Sequence, residues 1–289
     1  MSEANKNKEV ARAEPKRELT VQEKHLFDVH KKLSDFLDKK KDALPQDFNE
    51  TRFLQNSITV LQDTKDIANI DPISIARTML KGAFLGLDFL NKECYAIPYG
   101  VKEGTGWGKA LQFQTDYKGE KKLAKKYSIN PIKDIYAKLV KEGDLFEECI
   151  REGVPTINFN PKSFNDGKII GAFAAALFKD GSMIYETMSK KEIENIRDKF
   201  SKASTGKAWV DTPGEMYKKT VIRRLCKHIE LDFGSIERKQ EWDEASGMEF
   251  DKKPQPQVAK SSLDNIIDVE SKEIKDVDPK EHSNATDSN

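Results

Sequence analysis

Four lysines stand at helical spacing in the stretch from Gln112 to Tyr127: Lys118, Lys121, Lys122 and Lys125. On a helix they share one face, while Leu123 and Tyr127 fall on another and anchor it to a core. A row of ammonium groups on an anchored helix matches a row of phosphates, which is recognition chemistry rather than catalysis. Thr115 or Asp116 can cap this helix by accepting a first-turn N–H. A second basic segment follows a hundred residues on. From Arg197 to His228 there are 9 basic and 3 acidic residues. Within it, Thr205 and Lys207 sit in a small polar loop of the kind that wraps a phosphate. Lys218, Lys219, Arg223 and Arg224, with Lys227, form a basic stripe on a long helix. Tyr117, Trp209 and Trp107 lie beside these groups, and an aromatic ring stacked on a base contributes roughly 1–3 kcal/mol.

Catalytic chemistry has no comparable signature. The four histidines, His25, His30, His228 and His282, are scattered. No H-E-x-x-H, C-x-x-C or G-x-S-x-G occurs. The glycine-rich run ending in Gly108-Lys109 fails the phosphate-loop pattern G-x-x-x-x-G-K-[ST], because position 103 is Glu and position 110 is Ala. Gly206-Lys207 fails as well, with Ser201 and Ala208 at the required positions. No catalytic residue, metal ligand or cofactor is assigned. Scattered Asp and Glu leave one alternative, a metal-dependent nucleic-acid-processing nuclease.

Composition bounds the rest. The net charge of the 289 residues is zero, yet residues 235–289 hold 8 basic and 14 acidic residues against 41 and 35 in residues 1–234. A basic body with an acidic tail points to an anionic partner. Cys94, Cys149 and Cys226 are far apart and in no metal-ligand spacing, as suits a reducing cytoplasm. The start of the chain lacks the apolar core of a signal peptide. No apolar run approaches the ~18–20 residues of a membrane span. A soluble cytoplasmic protein is expected.

The elements that must position these groups read as an α+β domain. Residues 1–19 are a flexible lead-in. A helix opens at Thr20 with Glu23 completing a capping box, and Leu26, Val29, Leu33 and Phe36 face inward. A second starts near Asn49 or Thr51, and a third at Asp71-Pro72 runs to about Gly86. The period then changes to two. Residues 93–99 and 109–115 pair as a β-hairpin with a long mobile tip at 100–108. Residues 134–140 and 145–150 flank a tight turn at 142–144, and residues 168–178 and 183–188 make a buried strand and its return. Ser189 and Glu192 open a further helix, and Thr212 with Glu215 caps the last long one. In that helix Tyr217, Val221, Leu225 and Ile229 form the buried stripe. Domain limits are set at 20–234 for the folded, basic domain. Residues 235–289, with an acidic-apolar patch from Leu263 to Val269, read as a largely disordered tail.

Three stretches together carry a family resemblance: Gly86-Leu-Asp-Phe-Leu-Asn-Lys-Glu-Cys-Tyr-Ala-Ile-Pro-Tyr-Gly100, Phe113-Gln-Thr-Asp-Tyr-Lys-Gly119 and Lys218-Lys-Thr-Val-Ile-Arg-Arg-Leu-Cys-Lys227. Over residues 20–234 the chain resembles the phage RecT recombinases of Gram-positive phages and prophages. The resemblance implies an ATP-independent single-strand annealing protein. It implies N-terminal helices and an antiparallel hairpin or sheet packed on a long helix, in a Rad52-like annealing core. The implied partners are single-stranded DNA, the annealed duplex intermediate and further copies of the chain in a ring or helical filament. A phage 5′→3′ exonuclease and the host single-strand-binding protein would engage the C-terminal tail. The implied place of action is the cytoplasm of the bacterial host.

Overall fold

A computed structural model describes residues 18–103, 106–201 and 204–247, with side chains described except at 102–103, 106–107 and 246–247. The expected lead-in at 1–17 and the tail beyond 247 lie outside the described residues. The chain forms α1 (Val21–Lys39), α2 (Glu50–Gln62), α3 (Pro72–Leu85), β1 (Cys94–Glu103), β2 (Gly106–Thr115) and α4 (Tyr117–Tyr127). There follow β3 (Ile132–Lys141), β4 (Leu145–Arg151), β5 (Val154–Asn160), β6 (Ile169–Phe178), β7 (Met183–Ser189), α5 (Lys190–Phe200), α6 (Lys207–Asp211), α7 (Pro213–Lys227) and α8 (Ile236–Gly247). Helices and antiparallel strands share one α+β fold.

The helix starts obey their caps. Thr20 Oγ1 accepts from Glu23 N at 3.2 Å while Glu23 Oε2 accepts from Thr20 N at 2.7 Å. Asn49 and Asp71 cap α2 and α3. In α1 the fourth buried position is Leu37, and Phe36 is only partly covered. Helix α3 is the post of the first layer, packed by α1, by the β1–β2 hairpin and by α8. Its Ile75, Ala76, Met79 and Ala83 have no exposed surface. The hairpin pairs from Cys94↔Thr115 out to Glu103↔Gly106. The strands therefore run through most of the segment expected to be a loose tip. Cross-strand pairing overrides the low strand preference of Gly100, Gly106 and Gly108.

In the second layer β3, β6 and β7 form an antiparallel sheet in the order β3-β6-β7. Helix α7 packs on one face of it. Ala172, Ala174 and Ala176, at most 3% exposed, share a buried cluster with Tyr217, Val221, Leu225 and Ile229. The turn at 142–144 does not join two strands of a hairpin, because β3 pairs with β6 while β4 pairs with β5. Strand β5 has no clear signature in the sequence, since Pro155 interrupts it and alternation covers only Ile157 to Asn160. The β4–β5 hairpin rests on the sheet through Phe146 and Phe159, whose rings lie 5.4 and 5.1 Å from that of Phe173.

Beyond the expected limit at 234, α8 packs on the rest of the chain. Trp242 and Ala245 are buried, Trp242 packs 6.1 Å from the Phe233 ring, and Arg238 donates to the carbonyls of Ala43, Leu44 and Phe233. Helix α8 is silent in the sequence because its buried face holds so few apolar residues that no helical period emerges.

Candidate nucleic-acid interface

The three stretches that carry the family resemblance meet at one junction. Helix α4 starts at Asp116, whose side chain accepts from Lys118 N at 3.2 Å and whose own N–H donates to Glu93 O at 2.9 Å. Asp116 is therefore the cap. Thr115 plays a different part, its hydroxyl donating to Glu120 Oε1 at 2.9 Å. The same oxygen accepts from Arg223 Nε at 3.0 Å and lies 3.0 Å from Arg223 Nη2. Glu120 and Arg223 are 1% and 5% exposed. Lys219 reaches across to Asp116 at 2.9 Å. Lys122 donates to Gly86 O at 2.9 Å and to Glu93 Oε2 at 2.7 Å, an oxygen that also accepts from Asp88 N. At Gly119 a Cβ would lie 2.2 Å from Glu93 O, so only glycine lets α4 approach β1 this closely. The hairpin, α4 and α7 are thus locked by carboxylates and by cations that the sequence alone assigns to phosphates.

The candidate phosphate-binding residues fall into different surroundings. Arg223 is not on the surface: its guanidinium is paired with Glu120 inside the helix joint. Lys219 is held on α4. Lys125 pairs with Asp134 at 2.8 Å, Lys218 with Glu215 at 2.5 Å, Arg224 with Glu186 at 2.8 Å, and Lys126 with Asp47. The lysine hydrogen bonds hold the Asp134 and Asp47 carboxyls below the usual aspartate range. Lys118, Lys121, Lys207 and Thr205 are the assigned positions that remain at the surface without such a pair among the described residues. Thr212 does not complete a capping box: its hydroxyl donates back to Ala208 O at 3.0 Å. Spacing could place the stripe on α7, but not reveal that α4 faces it with Asp116 and Glu120.

The RecT family matches residues 51–257, more than half of the chain. The chain belongs to the RecT family. It is also similar to Protein RecT of Escherichia coli (strain K12), 29% identical over 211 residues that cover 72% of this chain and 77% of that protein. Membership makes it a DNA-binding protein of recombination and single-strand annealing.

The three aromatic candidates of this RecT-family chain lie in different surroundings. Tyr117 is half-buried and packs against the core. Trp209 is partly buried, 6.4 Å from the Tyr217 ring, with the Arg197 guanidinium 5.8 Å from its own ring. Trp107 sits on β2 opposite Lys102, and its side chain lies outside the described residues. An aromatic surface that sequence reasoning missed lies on the outer face of the sheet. There a cleft of about 560 Å³ is lined by Tyr136, Lys138, Phe159, Pro161, Phe173 and Met183. Its signal is hidden because β5 does not read as a strand. Among the described residues no group of three His, Cys, Asp or Glu could hold a metal ion, and no helix is long and apolar enough to cross a membrane. The carboxylates nearest the basic helices are engaged by Lys and Arg.

Proposed function

We propose that this chain anneals complementary DNA strands without nucleotide hydrolysis, binding single strands through backbone phosphates and assembling on them as a homo-oligomer. The observation that carries this reading is the family match over residues 51–257. Lys118, Lys121 and Lys207, with Thr205, supply standing phosphate contacts at the surface. Lys122, Lys125, Lys218 and Arg224 join them when a phosphate displaces the carboxylate each now holds. Such contacts carry no base information, so Watson–Crick pairing supplies the specificity. Many subunits on one strand turn weak contacts into tight binding. A 5′→3′ exonuclease supplies the single strands, and it and a single-strand-binding protein engage the C-terminal segment.

The test is pairing of two complementary fluorophore-labelled oligonucleotides, without ATP, across a salt series. Acceleration that fades as salt rises is expected. Binding without faster pairing would reduce the protein to a passive binder, and shortening of the labelled strands with Mg²⁺ would turn the reading towards a nuclease.

A further inference from the structure

The loop between β5 and β6 displays Phe164 in full: the ring is 102% exposed and the backbone sits at φ 52°. A bulky residue in the left-handed region is a sterically disfavoured arrangement that persists only where the surroundings enforce it. Here they do. Asn165 Nδ2 donates to Glu142 O at 3.0 Å and to Asp144 Oδ1 at 2.7 Å, and its Oδ1 accepts from Gly167 N at 2.8 Å. Asp144 also accepts from Lys162 N at 3.0 Å and Lys141 N at 2.8 Å, and Lys141 Nζ donates to Asn165 O. A Cβ at Gly167 would fall 2.7 Å from Glu142 O, so the loop closes tightly on the turn after β3. The fold therefore fixes an apolar ring in water.

The neighbours of that ring point to its ligand. Lys162 and Lys168 are exposed and, among the described residues, neither has an ion pair. This contrasts with α4 and α7, where most cations already hold a carboxylate. An exposed ring with an exposed lysine two residues before it and another four residues after it suits a ligand that combines flat apolar faces with negative charge. Another protein surface would have to desolvate both lysines to reach the ring. Pro161, three residues before Phe164, lines the cleft beneath β4–β5.

We infer that Phe164 is a base-stacking platform and that Lys162 and Lys168 hold the adjoining phosphates, so that the β5–β6 loop seats one nucleotide of a single DNA strand. This rests on the single-strand binding proposed above and adds a contact that reads the presence of a base.

The full chain, Phe164→Asn and Phe164→Trp are compared on an oligo-dT and on an abasic oligonucleotide of equal length, over a salt series. Asparagine tolerates the left-handed backbone, so the first variant removes the ring and keeps the loop. The unmodified chain binds oligo-dT more tightly than the abasic strand. Phe164→Asn lowers dT affinity by about fivefold or more, leaves abasic binding and the salt slope unchanged, and so erases the preference. Phe164→Trp restores it, and its added emission is quenched by dT but not by the abasic strand. Equal dT binding by the unmodified chain and Phe164→Asn overturns the inference while leaving the proposed function intact. A change of oligomeric state in Phe164→Asn without DNA, seen by light scattering, overturns it in favour of a contact between copies. Failure of the unmodified chain to bind either oligonucleotide overturns both readings.

Discussion

Glu120 and Arg223 show how far residue type alone leads. Periodicity places Arg223 on a basic stripe of α7 and leaves Glu120 as one acid among lysines, and both statements are true of the helices taken singly. What no single helix encodes is that the stripe faces α4, where Glu120 and Asp116 wait. Lys118 and Lys121 hold no carboxylate among the described residues, although Gly119 and Glu120 of the same turn are buried. The distinction is measurable in urea unfolding. Glu120→Ala removes the buried carboxylate oxygen shared by Arg223 and Thr115 and is expected to destabilise the fold by about 3–5 kcal/mol. Arg224→Ala breaks a half-exposed pair and should cost no more than about 1 kcal/mol. On DNA, Arg224→Ala should lower the slope of log K against log[salt] by about 1, because its guanidinium can exchange Glu186 for a phosphate. Similar unfolding free energies for the two variants would mean that the Glu120–Arg223 junction does not lock the helices together.

At the scale of elements, local signals are legible wherever they are self-contained. The Thr20, Asn49, Asp71 and Ser189 caps each open a helix as expected, because a cap is decided within four residues. Pairing is poorly legible, because it is decided by strands far apart: β3 takes its partner from β6, across the whole β4–β5 hairpin. Helix α8 is hidden for a third reason. It joins the core through Trp242, Ala245 and the stem and guanidinium of Arg238, too few apolar positions to show a period. Because Trp242 is buried against Phe233, Trp242→Ala should cost about 3–5 kcal/mol in a thermal or urea melt. An unaltered melting temperature would return α8 to the tail.

For the molecule as a whole, the ionisable groups define a broad plateau of stability. Asp47 and Asp134 have folded pKa values below the ordinary 3.8, so their pairs contribute above that value and are lost only as pH falls through the depressed ones. Burial first, and then neighbouring carboxylates, raise Tyr95 and Tyr217 from 10.0 to about 12. Their neutral phenols contribute fully below pH 10, and that contribution is lost as pH rises towards 12. Thermal melts should therefore show little dependence on pH from about 5 to 9 from these groups, with losses outside that range. A steep change between pH 7 and 5 would assign stability to other residues. The alanine face of β6 carries a different consequence. Ala172, Ala174 and Ala176 let α7 lie close to the sheet, and α7 carries the arginine that reaches α4. A larger side chain at any of the three displaces α7 and, with it, the far joint. A genetic screen for recombination-deficient alleles would accordingly collect substitutions at these alanines that look like lost DNA contacts, although the three side chains are buried in the core with α7.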